Sequence, residues 1–386
     1  MAVPKLRFKG FEGEWKQVSL SNPEFDIVAG GDVKKASLRE YGKYPVIANA
    51  LTNGGILGYY QDEYRVKAPA VTITGRGEVG VAVARDCNFT PVVRLLSLKS
   101  PYNHIFIANA INQRPAVFES TGVPQLTVPK LQSYILPIAS LEEQIKIADY
   151  FRKLDGMIRA KEAEIATLKQ AKAGAMVSMF PQKGETAPRV RFKGFDEPWE
   201  IIELAKTAKF SKGFGYSKAD LRPDGIPLFL YGRLYTKYNP FIEEIDTYSF
   251  EISDMVLSKG GEVVMPSSGE TPEDIAVASA ILTEGIILSG GLNVIFPNTN
   301  IDSSFLALSL TYGDAHYQLA KKAQGKSVVH LYNKDIAELQ MLFPSLAEQQ
   351  KIAAFFRNLD RQIEAQTQIL ERLKRVKAAC LDLMFV

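Results

Sequence analysis

Two glycine-rich stretches have spacings that could cradle a phosphate. GRGEVG, residues 75–80, fits G-x-G-x-x-G, and AKKAQGKS, residues 320–327, fits a relaxed P-loop with Ala320 in the first glycine's place and Lys326 as the phosphate lysine. Neither has the flanks that chemistry needs. The strand-like VAVAR follows Gly80 where a dinucleotide site needs a helix, so GRGEVG reads as a turn between strands. The P-loop lookalike follows a helical stretch and precedes VVHLYN, the reverse of the required order; Lys326 remains a candidate for touching a phosphate. His104, His316 and His330 are far apart and share no metal-ligand spacing with Cys87 and Cys380, so no metal site is expected. No G-x-S-x-G elbow occurs. Asn22-Pro23 and Asn239-Pro240 lack the second proline and the aromatic of the N-P-P-[YF] motif that places a target amine in amino-methyltransferases. Neither a catalytic residue nor a bound cofactor is expected on this chain.

What does recur is lysine and arginine interleaved with aromatics. The first such region holds KKASLREYGKYP, with Lys34, Lys35, Arg39 and Lys43, and then Arg65, Lys67, Arg76 and Arg114. The second holds KFSKGFGYSKADLRP and YGRLYTKYNP, with Lys209, Lys212, Lys218, Arg222, Arg233 and Lys237. Side chains of this kind in loops suit phosphate contacts, and arginine beside Asn or Gln suits base edges in a major groove. Taken singly, each also reads as a solvated surface charge. The net charge of +3 does not decide between the two, because many chains without a polyanionic partner are as basic.

The elements that would position these residues are announced by an internal duplication. LRFKGF at 6–11, with Trp15 behind it, recurs as VRFKGF at 190–195 with Trp199 behind it. SLEEQIKIADYFRKLD at 140–155 recurs as SLAEQQKIAAFFRNLD at 345–360, and Met179-Phe180 recurs as Met384-Phe385. The shift is 184 at the first anchor and 205 at the others, so the second copy carries 21 extra residues in a divergent middle. After each Ser-x-x-Glu, a capping-box pattern, apolar residues follow an alternating spacing of four and three. In the first copy they are Ile147, Phe151, Leu154, Ile158, Ile165 and Leu168, and in the second Ile352, Phe356, Leu359, Ile363, Leu370 and Leu373. Lys161 and Lys172 fill the remaining slots of the first seam, Gln366 and Lys377 those of the second. Each seam predicts a helix of about 38 residues, roughly 55 Å long at about 1.5 Å per residue. A helix apolar on one narrow stripe needs a partner of its own length, and the chain supplies one.

The middles, 16–135 and 200–340, read as α/β or mostly β, with short alternations such as AVTITGRGEVGVAVA and AILTEGIILSGGLNVIFP. FIANAINQ and FLALSLTYGDAHYQLAKKA are each expected to form one helix. The expected fold is α+β: globular domains at 1–140 and 181–345, separated by long antiparallel coiled-coil helices at 141–180 and 346–386, in a pseudo-twofold, cyclic arrangement. No apolar run could span a bilayer, MAVPKLRFKGFEGEW lacks the apolar core of a signal peptide, and two cysteines make no disulfide framework, so a cytoplasmic location is expected. From the residues alone, two readings stand: a DNA-binding protein, or a coiled-coil scaffold whose end domains bind protein.

As a set, these motifs resemble the specificity (S) subunit of Type I restriction-modification systems, a likeness that extends over essentially the whole chain. It rests on LPIASLEEQIKIADYFRKLD and FPSLAEQQKIAAFFRNLD, on the repeated KGF…W opening, and on VPQLTVPKLQ at 123–132 with its counterpart VVHLYNKDI at 328–336. The resemblance implies two target-recognition domains, each reading one half of a split, asymmetric site in double-stranded DNA. The helix pair would set their spacing; half-sites one helical turn apart, roughly 34–36 Å, suit helices of this length. It also implies two modification subunits that bind S-adenosylmethionine and methylate flipped adenine, and restriction subunits that use ATP with Mg. The chain itself would then be a non-catalytic subunit with no membrane partner.

Overall fold

The computed structural model describes residues 3–115, 124–325 and 328–385. It divides into two compact units, Met1–Ala163 with Gln368–Val386, and Glu164–Thr367.

In the first unit the β-branched runs pair into sheets. Ala70–Ile73 lies between Leu96–Lys99 and Ala82–Arg85, with Asp26–Ala29 at the edge, all antiparallel. A smaller sheet joins Tyr44–Ile47 to Ile56–Tyr60 and, in parallel, to Thr90–Pro91. GRGEVG is the turn between Ala70–Ile73 and Ala82–Arg85. Gly77 and Gly80 have φ of 71° and 88°, and a Cβ on Gly75 would sit 2.0 Å from the Arg94 carbonyl oxygen, so backbone geometry accounts for all three glycines. Helix α1 (His104–Asn112), capped by the Asn103 side chain, buries Phe106, Ile107, Ala110 and Ile111 in the same core as Val71 and Ile73. A short α2 (Val128–Gln132) leads to the strand Ile135–Ile138, which pairs with Lys16–Ser19, and then to α3 (Leu141–Met179).

The second unit has a five-stranded sheet in the order 208–212, 292–297, 262–266, 279–281, 241–242, and a four-stranded one in the order 248–249, 226–229, 284–288, 257–259. Its helices are α4 (Arg233–Thr236), α5 (Ser303–Tyr312), α6 (Asp314–Lys322) and α7 (Asn333–Ala337), with α8 (Leu346–Met384) as far as Thr367 and α3 from Glu164. The single helix expected over FLALSLTYGDAHYQLAKKA is therefore two. Gly313, at φ −93° and ψ −169°, takes an extended conformation between α5 and α6, where glycine's low helix propensity makes a break inexpensive. No described helix is long and apolar enough to cross a membrane.

Both long helices run 39 residues. On α3 Ile147, Phe151, Leu154, Ile158 and Ile165 are buried and Leu168 is half-buried; on α8 Ile352, Phe356 and Leu370 are buried, while Leu359, Ile363 and Leu373 are half-buried. Within the first unit, Phe151 lies 6.3 Å from Phe385, Asp155 accepts from Lys377 at 2.6 Å and Glu162 from Lys374 at 2.9 Å. Residue numbers rise on α3 as they fall on α8, so these segments are antiparallel. The second unit keeps the same sense, with Lys172–Asp360 at 2.5 Å and Phe180–Phe356 at 5.9 Å.

The Ser-x-x-Glu pattern forms only half of a capping box. Ser140 Oγ accepts from Glu143 N at 3.3 Å and Ser345 Oγ from Glu348 N at 3.4 Å, but the glutamates do not turn back to the serine amides. Glu143 instead takes a two-point contact from Arg7 (Nε 2.9 Å, Nη2 2.8 Å) and a third bond from Trp15 Nε1 (3.0 Å). Glu348 takes the same two-point contact from Arg191, at 2.9 and 2.8 Å. A guanidinium satisfies both carboxylate oxygens at once with charged donors, which one backbone amide cannot do.

The repeated sequences are thus two halves of one joint, built once in each unit. Lys146 lies over Phe11 and Lys351 over Phe195, at 5.1 and 5.3 Å. Phe8 meets Tyr150 edge-on at 5.9 Å, as Phe192 meets Phe355 at 5.8 Å. Trp15 packs on Phe106 and Phe385; Trp199 packs on Phe305, which lies against Phe180. Gln144 Oε1 accepts from Asn103 N, and Gln349 Oε1 accepts from Asp302 N, both at 2.9 Å, tying each long helix to the cap of α1 or α5. Lys16 pairs with Ile138 as Glu200 pairs with Phe343. Leu6 N donates to Leu383 O at 3.0 Å, and Val190 N to Ser178 O at 2.9 Å.

Candidate nucleic-acid interface

The basic residues singled out from sequence separate into those consumed by the fold and those left available. In the first unit, Lys34, Arg39 and Lys43 gather at the small sheet. Lys34 N donates to Tyr60 Oη (2.8 Å), Arg39 pairs its backbone with Tyr59, and Lys43 lies 5.2 Å from the Tyr44 ring, itself 4.9 Å from Tyr64. The Lys34 ammonium is 3.8 Å from Glu63, with both side chains mostly in solvent. Arg65 Nη2 donates to the Asp32 carbonyl and so clasps the 30–34 loop, a structural duty that the local sequence did not disclose. Lys35, Lys67 and Arg76 are exposed, and Arg114 is half-buried. Arg85, which charge interleaving did not single out, is half-buried on its strand; Nε donates to Thr72 Oγ1 at 2.9 Å, and burial lowers its pKa.

In the second unit, Lys209 and Lys212 are exposed on the strand 208–212. Lys218 is exposed in the turn after Ser217. Arg222 donates to the carbonyls of Ala219 (3.2 Å) and Leu221 (2.8 Å) and stacks 4.8 Å from the Phe250 ring. Arg233 and Lys237 converge on one acid: Asp246 accepts from Arg233 Nη1 at 2.5 Å and from Lys237 Nζ. Those two hydrogen bonds, Lys237's first, hold the Asp246 carboxyl well below the usual carboxylate range. Lys326 lies outside the described residues.

The histidines differ from one another. His104 Nε2 lies 2.6 Å from Asp86 Oδ1, and His316 Nδ1 lies 3.0 Å from the Ala276 carbonyl. His330 is exposed and stacks on Tyr332, rings 6.3 Å apart and 18° from parallel. Lys212 and Lys334 both approach that Tyr332 ring, at 5.9 and 5.8 Å. Tyr332 and Lys334 were not among the expected contacts; the available signal was VVHLYNKDI itself, a histidine, tyrosine and lysine at alternate positions. Among the described residues, no group of three or more His, Cys, Asp or Glu side chains could hold a metal ion. The arrangement offers cations and exposed rings.

Comparison with known proteins agrees with the duplicated joint. The Type I restriction modification DNA specificity domain matches twice, over residues 13–170 and 196–375. The chain is 22% identical over 278 residues to the Type I restriction enzyme MjaVIII specificity subunit of Methanocaldococcus jannaschii, covering 69% of this chain and 64% of that protein. It is 24% identical over 337 residues to a putative type I specificity subunit of Mycoplasma pneumoniae, covering 85% of each. It shares a fold with the crystal structure of the Type-I restriction-modification system S subunit from M. genitalium, at TM-score 0.67 and 16% identity, over 100% of this chain and 99% of that one. With two matches that take in both divergent middles and the start of both long helices, the chain belongs to the Type I restriction modification DNA specificity domain family.

Proposed function

We propose that the chain is the DNA-reading subunit of a Type I restriction-modification complex. Each unit's divergent middle, 16–135 and 200–340, reads one half of a split, asymmetric site in double-stranded DNA. The long helices act as an antiparallel coiled-coil spacer in a pseudo-twofold, cyclic arrangement, and with the domains they dock two modification subunits. S-adenosylmethionine is carried by those subunits, ATP and Mg by restriction subunits, and this chain is non-catalytic and cytoplasmic.

The observation that carries the reading is the pair of equivalent bonds, Leu6 N to Leu383 O and Val190 N to Ser178 O. One joint is made twice from separate parts of the chain, and what it holds differs between the copies. Identical mounts for dissimilar domains suit two readers of dissimilar half-sites. The antiparallel ion pairs within each unit support the spacer reading.

The test is domain exchange. Residues 16–135 are replaced by the corresponding region of another family member, and methylated adenines are sequenced in a host carrying the complex. One half of the bipartite motif should change while the other half and the spacing stay. Change in both halves would defeat the modular reading.

A further inference from the structure

We propose that Lys212, His330, Tyr332 and Lys334 form a phosphate-gripping platform for duplex DNA on the second unit, with no counterpart at the corresponding positions of the first. The proposal rests on the DNA-reading function above.

Three separate elements build the platform. Lys212 ends the strand 208–212, His330 ends the strand Val329–His330, and Tyr332 and Lys334 flank the start of α7. Their placement is held by other bonds. Asn333 Nδ2 donates to Ser211 O at 2.7 Å, locking α7 to the strand that carries Lys212. His330 exchanges backbone bonds with Gln324, its N donating at 2.8 Å and its O accepting at 3.0 Å, and Asp335 accepts from Tyr332 N at 3.1 Å.

Two ammonium groups are thereby brought to one tyrosine ring, at 5.9 and 5.8 Å from its centroid. The ring attracts both weakly through its face, while the ammonium ions repel each other. Among the described residues, neither lysine has an acid within ion-pair distance. Of the acids in the neighbouring sequence, Asp335 accepts from the Tyr332 amide, and Glu338 pairs with Lys322 at 2.6 Å while the Lys334 charge acts on it from farther away. Two exposed cations beside one ring, neither in a close ion pair, can take an external anion, and their place beside the open Tyr332 and His330 rings suits a chain of phosphates. At the positions displaced by 205 from His330, Tyr332 and Lys334 stand Gln125, Thr127 and Pro129, and at the position displaced by 184 from Lys212 stands Val28, none of them cationic. The platform is therefore particular to the second unit.

The test measures binding of the full chain to a random-sequence 40-base-pair duplex by fluorescence anisotropy across a salt series. The logarithm of the association constant should fall linearly with that of salt. Losing two phosphate contacts at about 0.9 each should lower the magnitude of that slope by about 2 in the Lys212→Gln/Lys334→Gln variant. An equal charge loss away from the platform, at the exposed Lys169 of α3 and at Lys183 (Lys169→Gln/Lys183→Gln), should leave the slope as in the parent. Tyr332→Phe should bind as the parent does, and Tyr332→Ala should bind severalfold more weakly. Salt-dependent binding by the parent with an unchanged slope in Lys212→Gln/Lys334→Gln overturns the platform alone. Absence of salt-dependent binding by the parent overturns the DNA-reading function and the platform with it.

Discussion

Arg7 and Glu143, 136 residues apart, share two parallel hydrogen bonds of 2.9 and 2.8 Å, and the carboxylate is 1% exposed. The same pair is rebuilt by Arg191 and Glu348, whose carboxylate is 2% exposed. Removing the guanidinium strands a buried charge, a change that typically costs about 3–5 kcal/mol. Arg7→Ala is expected to destabilise the first unit by that order in urea unfolding. Arg7→Lys should recover only part of the loss, because an ammonium cannot donate in the bidentate geometry. Full recovery by lysine would show that charge alone suffices.

The two tryptophans should respond unequally to one substitution. Trp15 Nε1 donates to Glu143, whereas Trp199 Nε1 is buried without a partner among the described residues. Trp15→Phe gives up a hydrogen bond to a charged group, about 1.5–3 kcal/mol, in addition to packing. Trp199→Phe removes an unsatisfied donor and loses packing only. Thermal melts of the two variants should rank Trp15→Phe as the more damaging; the reverse order would contradict the asymmetry.

This joint marks the boundary of what was legible in the sequence. The seams could be read because a helix writes its buried stripe into local spacing, and Ile147 through Leu168 and Ile352 through Leu373 are buried or half-buried as the pattern requires. The turn at GRGEVG was legible because its flanks were wrong for a nucleotide site. Glu143 was misread as half of a capping box because its real partner is 136 residues away, and local spacing carries no record of such a pair. The repeat did hold the clue, since Arg and Glu recur together at both anchors. Arg65 and Arg233 also make contacts that spacing does not record, to the Asp32 carbonyl and to Asp246.

Asp246 should act as a brake on DNA binding if the second unit reads DNA. It neutralises part of the charge of Arg233 and Lys237, and Asp246→Asn would release it. The variant is expected to bind duplex DNA more tightly at low salt, with a slope steeper by up to about 0.9. Stability should change little, because Asp246 is more than half exposed and such pairs contribute about 0–1 kcal/mol. A folded-state pKa below the unfolded value near about 3.9 gives stability that is present above that pH and lost as pH falls further. Asp246→Asn should therefore remove a small component of acid unfolding below about pH 4. Weaker DNA binding by this variant would refute the brake.

The Tyr150 hydroxyl lies 3.4 Å from Cys380 Sγ, and the hydrogen bond to Cys380, with burial, pushes its pKa up to about 12. The neutral phenol is favoured in the folded state relative to an unfolded value near about 10. Its stabilisation is complete below about pH 10 and is lost as pH rises toward about 12. Tyr150→Phe should flatten that alkaline loss relative to the parent, measured as the difference in urea midpoint between pH 9 and 11. Parallel pH curves for the two proteins would remove Tyr150 from the alkaline limb.

Lys172 and Lys377 occupy equivalent polar slots in the two apolar seams and meet equivalent acids, Asp360 at 2.5 Å and Asp155 at 2.6 Å. The pairs are not equally sheltered: Lys172 and Asp360 are 19% and 27% exposed, Lys377 and Asp155 30% and 35%. Asp360 Oδ2 is also buried with no partner of its own. Lys172→Met should therefore destabilise more than Lys377→Met, because it leaves the more deeply placed carboxylate without a cation. Replacing both partners, as in Lys172→Met/Asp360→Leu, should restore most of the loss, since an apolar pair needs no desolvated charge to be compensated. What the double variant should forfeit is register, because a polar pair in an apolar seam penalises every slipped alignment. Denaturation midpoints for the single and double variants test the energetic part. Cysteine crosslinking of Glu162→Cys to Lys374→Cys in the Lys172→Met/Asp360→Leu/Lys377→Met/Asp155→Leu background tests the register. Undiminished crosslinking there would show that the apolar residues alone set the alignment.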